Sequence, residues 1–253
     1  MNQGQLLKVF TTIGPRMESA VSDFLAHWPL GYVEHHRADE PGLITEASCH
    51  FLFVDGDFLG DESDDGELGL MLRRVPVEAL FLLTETDEES EGCIRAALGD
   101  TPVYKLKSQI QLHAVLNLLA HVSCGFSLSC VDWADVRRCL DQGELFEQRA
   151  ETGFPYDSVP LAVYKAVCDL EQRAHDQGGQ IGALVLTLLG GGDISMEHFG
   201  AASRMLQGLD GDPVVMVQTN LNEGATPGYH LFATLTPAWS QTREGLDLPS
   251  FLS

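Results

Sequence analysis

Two carboxylates, Asp132 and Asp135, stand three residues apart in the segment SCVDWADVRRCL, residues 129–140. Acids one helical turn apart can orient a water for hydrolysis, help to hold a cation, or cap the first turn of a helix. Val136, Cys139 and Leu140 fall at helical spacing, which places the pair at a loop-to-helix junction. Capping and chemistry both fit this local pattern. What the rest of the chain can bring to the acids decides between them.

Other acids are numerous. Residues 55–67, DGDFLGDESDDGE, carry seven of them, but Leu59 stands where a calcium-loop pattern needs a third oxygen ligand. The run reads as a solvated loop, as does the acidic connector Glu85 to Glu91. The cysteines are Cys49, Cys93, Cys124, Cys130, Cys139 and Cys168, with no CxxC pair among them. They read as reduced thiols in a cytoplasmic setting. His35-His36 and Cys49-His50 read as surface imidazoles and small buried thiols, so we expect no metal and no bound cofactor.

Composition narrows the classes further. The 253 residues are 44% hydrophobic, enough for one large domain or two small ones with their own cores. A formal charge of −22, from 37 acids against 15 bases, repels phosphate backbones and anionic lipid. We therefore expect no nucleic-acid partner. No apolar run approaches the roughly 20 residues that span a bilayer, and MNQGQLLKVF is unlike a secretory leader. Direct membrane insertion is not expected.

The elements that must position the acids can be read from periodicity. Short apolar runs at Gln5 to Thr11, Cys49 to Val54 and Val77 to Leu83 suit buried parallel strands, and Met17 to Trp28 and residues 68–75 suit helices. Residues 107–122 form the strongest helix signal, with apolar residues on most sides. A second alternation follows: a helix at Val159 to His175, a strand at Ile181 to Leu189, and the turn GGGD at 190–193. A helix from Ser195 to Leu206 comes next, Ser195 being its N-cap with His198 three residues on. Strands at Pro213 to Thr219 and Tyr229 to Thr236 close the pattern, joined by a connection that reads as hairpin-like.

Three segments carry a resemblance to the FtsZ/tubulin family. SCVDWADVRRCL is similar to that family's synergy loop, NVDFADVRTVM. IGALVLTLLGGGDISMEHF, residues 181–199, resembles the family's strand–TGGxDLTLxE–helix unit. GLDLPSFLS, residues 245–253, is similar to the conserved tail peptide with its core LDIPAFL. They occur in the family's order and cover roughly residues 107–253.

The resemblance implies an α/β, tubulin/FtsZ-like fold with a truncated parallel-sheet N-terminal domain, a long central helix and a second α/β domain. Its domains would be a degenerate nucleotide-domain remnant at 1–106, the central helix and synergy loop at 107–133, a C-terminal domain at 134–240 and a tail at 241–253. In the family the synergy loop enters the nucleotide pocket of the next subunit, where its acids orient the attacking water. Asp132 and Asp135 match those acids, and Cys130 replaces the family's Asn.

The family binds GTP through Gly-rich loops whose backbone N–H groups close on phosphate. Here the first strand is followed only by Thr-Ile-Gly-Pro-Arg, and Pro15 has no N–H to give. Asp55, Asp57 and Asp61 stand where the second phosphate loop belongs. The guanine-contacting pair falls on Gln109 and Ile110, and Ile110 cannot accept a hydrogen bond.

The expectation is a pseudo-GTPase, not an enzyme in its own right, that modulates cell-division filaments with FtsZ as partner. Its filament face would comprise Asp132, Trp133, Asp135 and Arg138. Alternatively, the tail residues Leu246, Asp247, Leu248, Pro249, Phe251 and Leu252 would dock, as an adaptor's, onto division proteins that bind the FtsZ tail. A divergent GTPase is the remaining alternative.

Overall fold

The computed structural model describes residues 8–27, 33–37, 49–59, 77–84, 100–123, 131–192, 194–207, 209, 211–221 and 226–236. The chain divides into two compact units, residues 1–116 and 117–253. Among the described residues no helix is long and apolar enough to cross a membrane.

The first unit is built on a five-stranded parallel sheet ordered β2-β1-β3-β4-β5. Its strands are β1 (Lys8–Ile13), β2 (Val33–Arg37), β3 (Cys49–Asp55), β4 (Ala79–Leu83) and β5 (Val103–Leu106). The inner strands β3 and β4 read FLFV and ALFLL, apolar at consecutive positions, because a strand covered on both faces buries every side chain. Phe10, Phe51, Phe53, Phe81 and Tyr104 gather on one face, and Leu52, Val54, Leu80 and Leu82 on the other. Helix α1 (Pro15–His27) packs on β1 and β3 and buries Met17, Val21 and Phe24. Pro15 suits the first helical position, where no N–H is needed. The short helix α2 (Gly56–Leu59) follows β3 directly.

Helix α3 (Gln109–Ser123) contains the boundary between the units. Leu112, Ala114, Val115, Leu116, Leu118, Leu119 and Ala120 are all buried, as its nearly continuous apolar surface implies. Ile110, at its start, is 69% exposed.

The second unit begins with α4 (Trp133–Leu140) and has a four-stranded sheet ordered β6-β9-β7-β8. Its strands are β6 (Leu145–Thr152), β7 (Gln180–Gly190), β8 (Val214–Leu221) and β9 (Gly228–Thr236). Helices α5 (Val159–Asp176) and α6 (Met196–Met205) cover one face over Leu184, Leu186, Leu188, Leu231, Ala233 and Leu235. The opposite face carries Phe146, Phe232 and Thr234, and receives α4 through Cys139.

One expected connection is corrected. β8 and β9 do not form a hairpin: β7 lies between them, parallel to β8 and antiparallel to β9. The Gly- and Pro-containing link after β8 reverses the chain but does not choose its neighbour. Burial chooses it. β9 is buried along almost its whole length and takes an inner place, whereas β8, with Gln218, Thr219 and Asn220, becomes an edge. Residues 5–7 of the first expected strand, the expected helix at 68–75 and the acidic connector 85–91 lie outside the described residues.

Candidate functional site

Asp132 and Asp135 meet at the N-terminus of α4, and there they form a capping box. The Asp132 carboxylate accepts from the Asp135 N–H at 3.0 Å, and the Asp135 carboxylate accepts from the Asp132 N–H at 3.3 Å. Each acid thus satisfies a backbone donor that the helix start leaves open, in a place where the helix dipole favours negative charge. Asp132 is exposed and Asp135 half-buried, and each keeps one carboxylate oxygen outside the box. Capping and an outward role are therefore compatible.

Around them Trp133 is half-buried, Arg138 is exposed, and Arg137 lies 3.6 Å from Asp141. Val136, Cys139 and Leu140 anchor the inner face of the helix. Burial, aided by Asp135, pushes the Cys139 thiol up to about 12, so it stays protonated and inert beside Met216, 3.0 Å away. Cys130 and the tail residues Leu246 to Leu252 lie outside the described residues. Asp132→Ala should lower stability by about 1 kcal/mol, the usual cost of a lost N-cap; urea unfolding of the two proteins measures it.

A second cluster closes the C-terminal edge of the first sheet, the edge at which open α/β sheets take their ligands. Arg16, at the start of α1, donates Nε to Asp55 Oδ2 at 2.8 Å and Nη2 to Asp55 Oδ1 at 2.5 Å. The same Nη2 donates to Asp57 Oδ2 at 2.6 Å. Asp55 ends β3 with its side chain only 4% exposed, and its Oδ1 also accepts the Asp57 N–H at 3.2 Å. The hydrogen bond to Asp55 is the largest influence holding the Arg16 guanidinium above its ordinary value, so its charge is permanent.

The turn before α1 is shaped to fit this pair. Gly14 has φ +89°, and a Cβ on it would stand 2.6 Å from the Cβ of Asp55. Glycine is needed both for the backbone angle and for the close approach. The loop after β1 thus draws in against a carboxylate of its own chain. Asp61 lies outside the described residues.

A third arrangement has hydrolase-like residue types. Ser195 Oγ is 3.1 Å from His198 Nδ1, and His198 Nε2 is 3.6 Å from Asp157. Ser195 and His198 nevertheless form the capping box of α6 with each other's backbone N–H groups, as the sequence pattern predicts. The Asp157 side chain is 96% exposed and cannot hold the imidazole in a fixed orientation. The neighbouring GG turn is tied down by Tyr156, whose hydroxyl accepts from the Gly191 N–H at 3.0 Å and whose ring stacks on His198. This cluster caps α6 and closes a turn.

No family model matches the sequence, and no curated protein sequence matches it. Solved structures do. An empty FtsZ dimer from M. jannaschii matches with a TM-score of 0.54 at 12% identity, covering 100% of this chain and 96% of that one. CetZ from Methanosaeta thermophila matches at 0.55 and 10% identity, covering 94% and 89%. The fold is that of FtsZ. CetZ1 from Haloferax volcanii, a GDP-bound monomer, matches at 0.50 and 10% identity, covering 90% and 94%.

Within this FtsZ-like fold the two clusters have separate places. Asp132 and Asp135 stand on the loop-to-helix junction that resembles the synergy loop. Arg16, Asp55 and Asp57 stand at the sheet edge where the resemblance places the phosphate loops. Sequence reading singled out the acids of both clusters but not Arg16 as their partner. Its signal was the lone cation directly after Gly14-Pro15, facing an acidic run known only from elsewhere in the chain. No group of three or more metal-ligating side chains occurs among the described residues.

Proposed function

We propose that this protein is a non-enzymatic, FtsZ-like modulator of cell-division filaments that does not bind GTP. The observation that carries the reading is the Arg16–Asp55–Asp57 cluster at the C-terminal edge of the parallel sheet. A triphosphate entering there would have to separate a guanidinium from two carboxylates and then lie against those like charges. The strand-to-helix turn offers Pro15 in place of an N–H donor.

The other half of the reading rests on the folded face around Asp132, Trp133, Asp135 and Arg138, of which Asp132 and Arg138 are exposed and Trp133 and Asp135 half-buried. FtsZ of the same fold is known as a dimer. A subunit that keeps the acids Asp132 and Asp135 of the synergy-loop face and lacks a nucleotide face would join an FtsZ filament at one end and offer no site for the next subunit. The protein would then cap filaments or co-assemble with them in the cytoplasm, at the division site.

Calorimetric titration with GTP and magnesium should give no saturable heat, and the same titration with FtsZ should. Added to FtsZ and GTP at stoichiometric amounts, the protein should change sedimentable polymer or GTP turnover, and Asp132→Lys/Asp135→Lys should abolish that change. Deleting residues 245–253 separates this from an adaptor role: the filament effect should survive the deletion. Saturable GTP binding would overturn the first half of the proposal, and an unchanged FtsZ polymer the second.

A further inference from the structure

Helix α4 carries Asp132 and Asp135 at its start, and its inner face rests on the side of the second sheet opposite α5 and α6. Val136, Cys139 and Leu140 are buried there. Two hydrogen bonds tie the C-terminal end of the helix to β9. Thr234 Oγ1 donates to the Cys139 carbonyl at 3.0 Å, and Thr236 Oγ1 donates to the Gln142 carbonyl, just past the helix, at 2.7 Å. His121 of α3 meets another part of the same face, where its ring lies 4.4 Å from that of His230.

A third support of α4 is a sulfur. Cys139 Sγ donates to Met216 Sδ, 3.0 Å away on β8. Met216 shares one row of the sheet with Val185 on β7 and Phe232 on β9, both fully buried. Met216 itself is half-buried, on the strand that forms an edge of the sheet. It thus has an apolar row and a weak thiol donor on its inner side, together with partial access to solvent.

The two touching sulfurs differ in reactivity. A thioether is oxidised without first losing a proton, whereas a cysteine reacts as its thiolate. The Cys139 thiol, pushed up to about 12 chiefly by burial, is protonated at neutral pH.

We propose that Met216 is an oxidation-sensitive support of α4, and that a peroxide loosens this helix by converting the thioether to its sulfoxide. A lone pair of Sδ attacks the peroxide and the O–O bond breaks. One oxygen stays on sulfur, and the other leaves with the protons as water. The sulfur loses two electrons and the peroxide gains them. The product places a polar, pyramidal group where an apolar sulfur met Cys139. Its oxygen finds the Cys139 thiol, a weaker donor than the water it would otherwise have, so α4 gives way to hydrate it. Weaker filament contact through Asp132 and Asp135 would follow, a consequence that rests on the proposed function. The loosening of the helix does not, and it is read without FtsZ.

Hydrogen peroxide added to the full chain, with oxygen located by peptide mass spectrometry and amide exchange followed in α4 and α5, tests the proposal. Met216 should gain one oxygen after Met196 and Met205, which are 66% and 40% exposed on α6, and before Met17, which is fully buried. Exchange in α4 should then quicken about ten-fold while α5 stays unchanged. Met216→Leu, oxidised alike at Met196 and Met205, should keep the slow exchange of α4 under peroxide. Should that variant not fold, the time courses of the parent decide. Exchange in α4 that follows the oxygen on Met216 supports the proposal, and exchange that follows Met196 or Met205 overturns it. Oxygen on Cys139 in place of Met216, or α4 exchange unmoved in the Met216 sulfoxide, would overturn it as well.

Discussion

Arg16→Met should destabilise the first unit by about 2–3 kcal/mol, below the roughly 3–5 kcal/mol of breaking a fully buried ion pair from one side. The methionine keeps much of the volume and removes the charge. Asp55, with a side chain only 4% exposed, would keep the Asp57 N–H as a donor but lose both guanidinium hydrogen bonds. Arg16 itself is 36% exposed, so solvent reaches part of the cluster and screens part of the loss. Asp57, at 34%, is well placed to turn to water.

Arg16→Met/Asp55→Leu should recover most of the deficit, because the buried carboxylate leaves along with its cation. Equilibrium unfolding in guanidinium at neutral pH, with slopes compared as well as midpoints, measures both. A single variant as stable as the parent would mean that the cluster is a solvent-screened surface feature. It would then be no barrier to a phosphate, and the proposed loss of nucleotide binding would lose its main support.

Phe81→Ala should cost about 3–5 kcal/mol, as truncation of a buried aromatic does where the site cannot collapse. Phe81 lies on β4 between two ladders, paired with Phe53 on β3 and with Tyr104 on β5. Its ring stacks on Phe53 at 5.1 Å and on Tyr104 at 5.4 Å, and it is fully buried. Strands on both sides hold the backbone in register, so the walls of the cavity have little freedom to close. Phe81→Leu, which refills much of the space, should cost less than half as much. Unfolding followed by circular dichroism reads both changes, and a loss for Phe81→Ala below 1 kcal/mol would mean that this face of the sheet is loosely packed.

Much of this architecture is legible without coordinates. β3, β4, β7 and β9 announce themselves because they are inner or long strands whose side chains are buried on both faces, so they read as apolar runs. β2, β5 and β6 do not, and all three are sheet edges. VEHHR and VYKL are short and half polar, and LFEQRAET carries charges at Glu147, Arg149 and Glu151 with only Leu145, Phe146 and Ala150 apolar. An edge strand needs a single buried face and a neighbour, and the neighbour is supplied from far along the chain.

The candidate sites divide in the same way. The Asp132–Asp135 box and the Ser195–His198 box are legible because both ends of each lie three residues apart, within one helical turn. Spacing alone fixes such contacts, so they are readable from the unfolded chain, as are the α/β alternation and the FtsZ-like segments. The partners of Arg16 lie 39 and 41 residues away, and His121 and His230 come from opposite ends of the second unit. These contacts exist only once the sheets have formed. A parallel sheet sets the ends of β1 and β3 side by side whatever their separation in sequence, and a helix laid on a sheet chooses which of its polar side chains are cut off from water. Whether an acid near a strand end faces a cation or a phosphate, and whether a histidine can take a proton, depends on those long-range neighbours, for which no local spacing stands proxy.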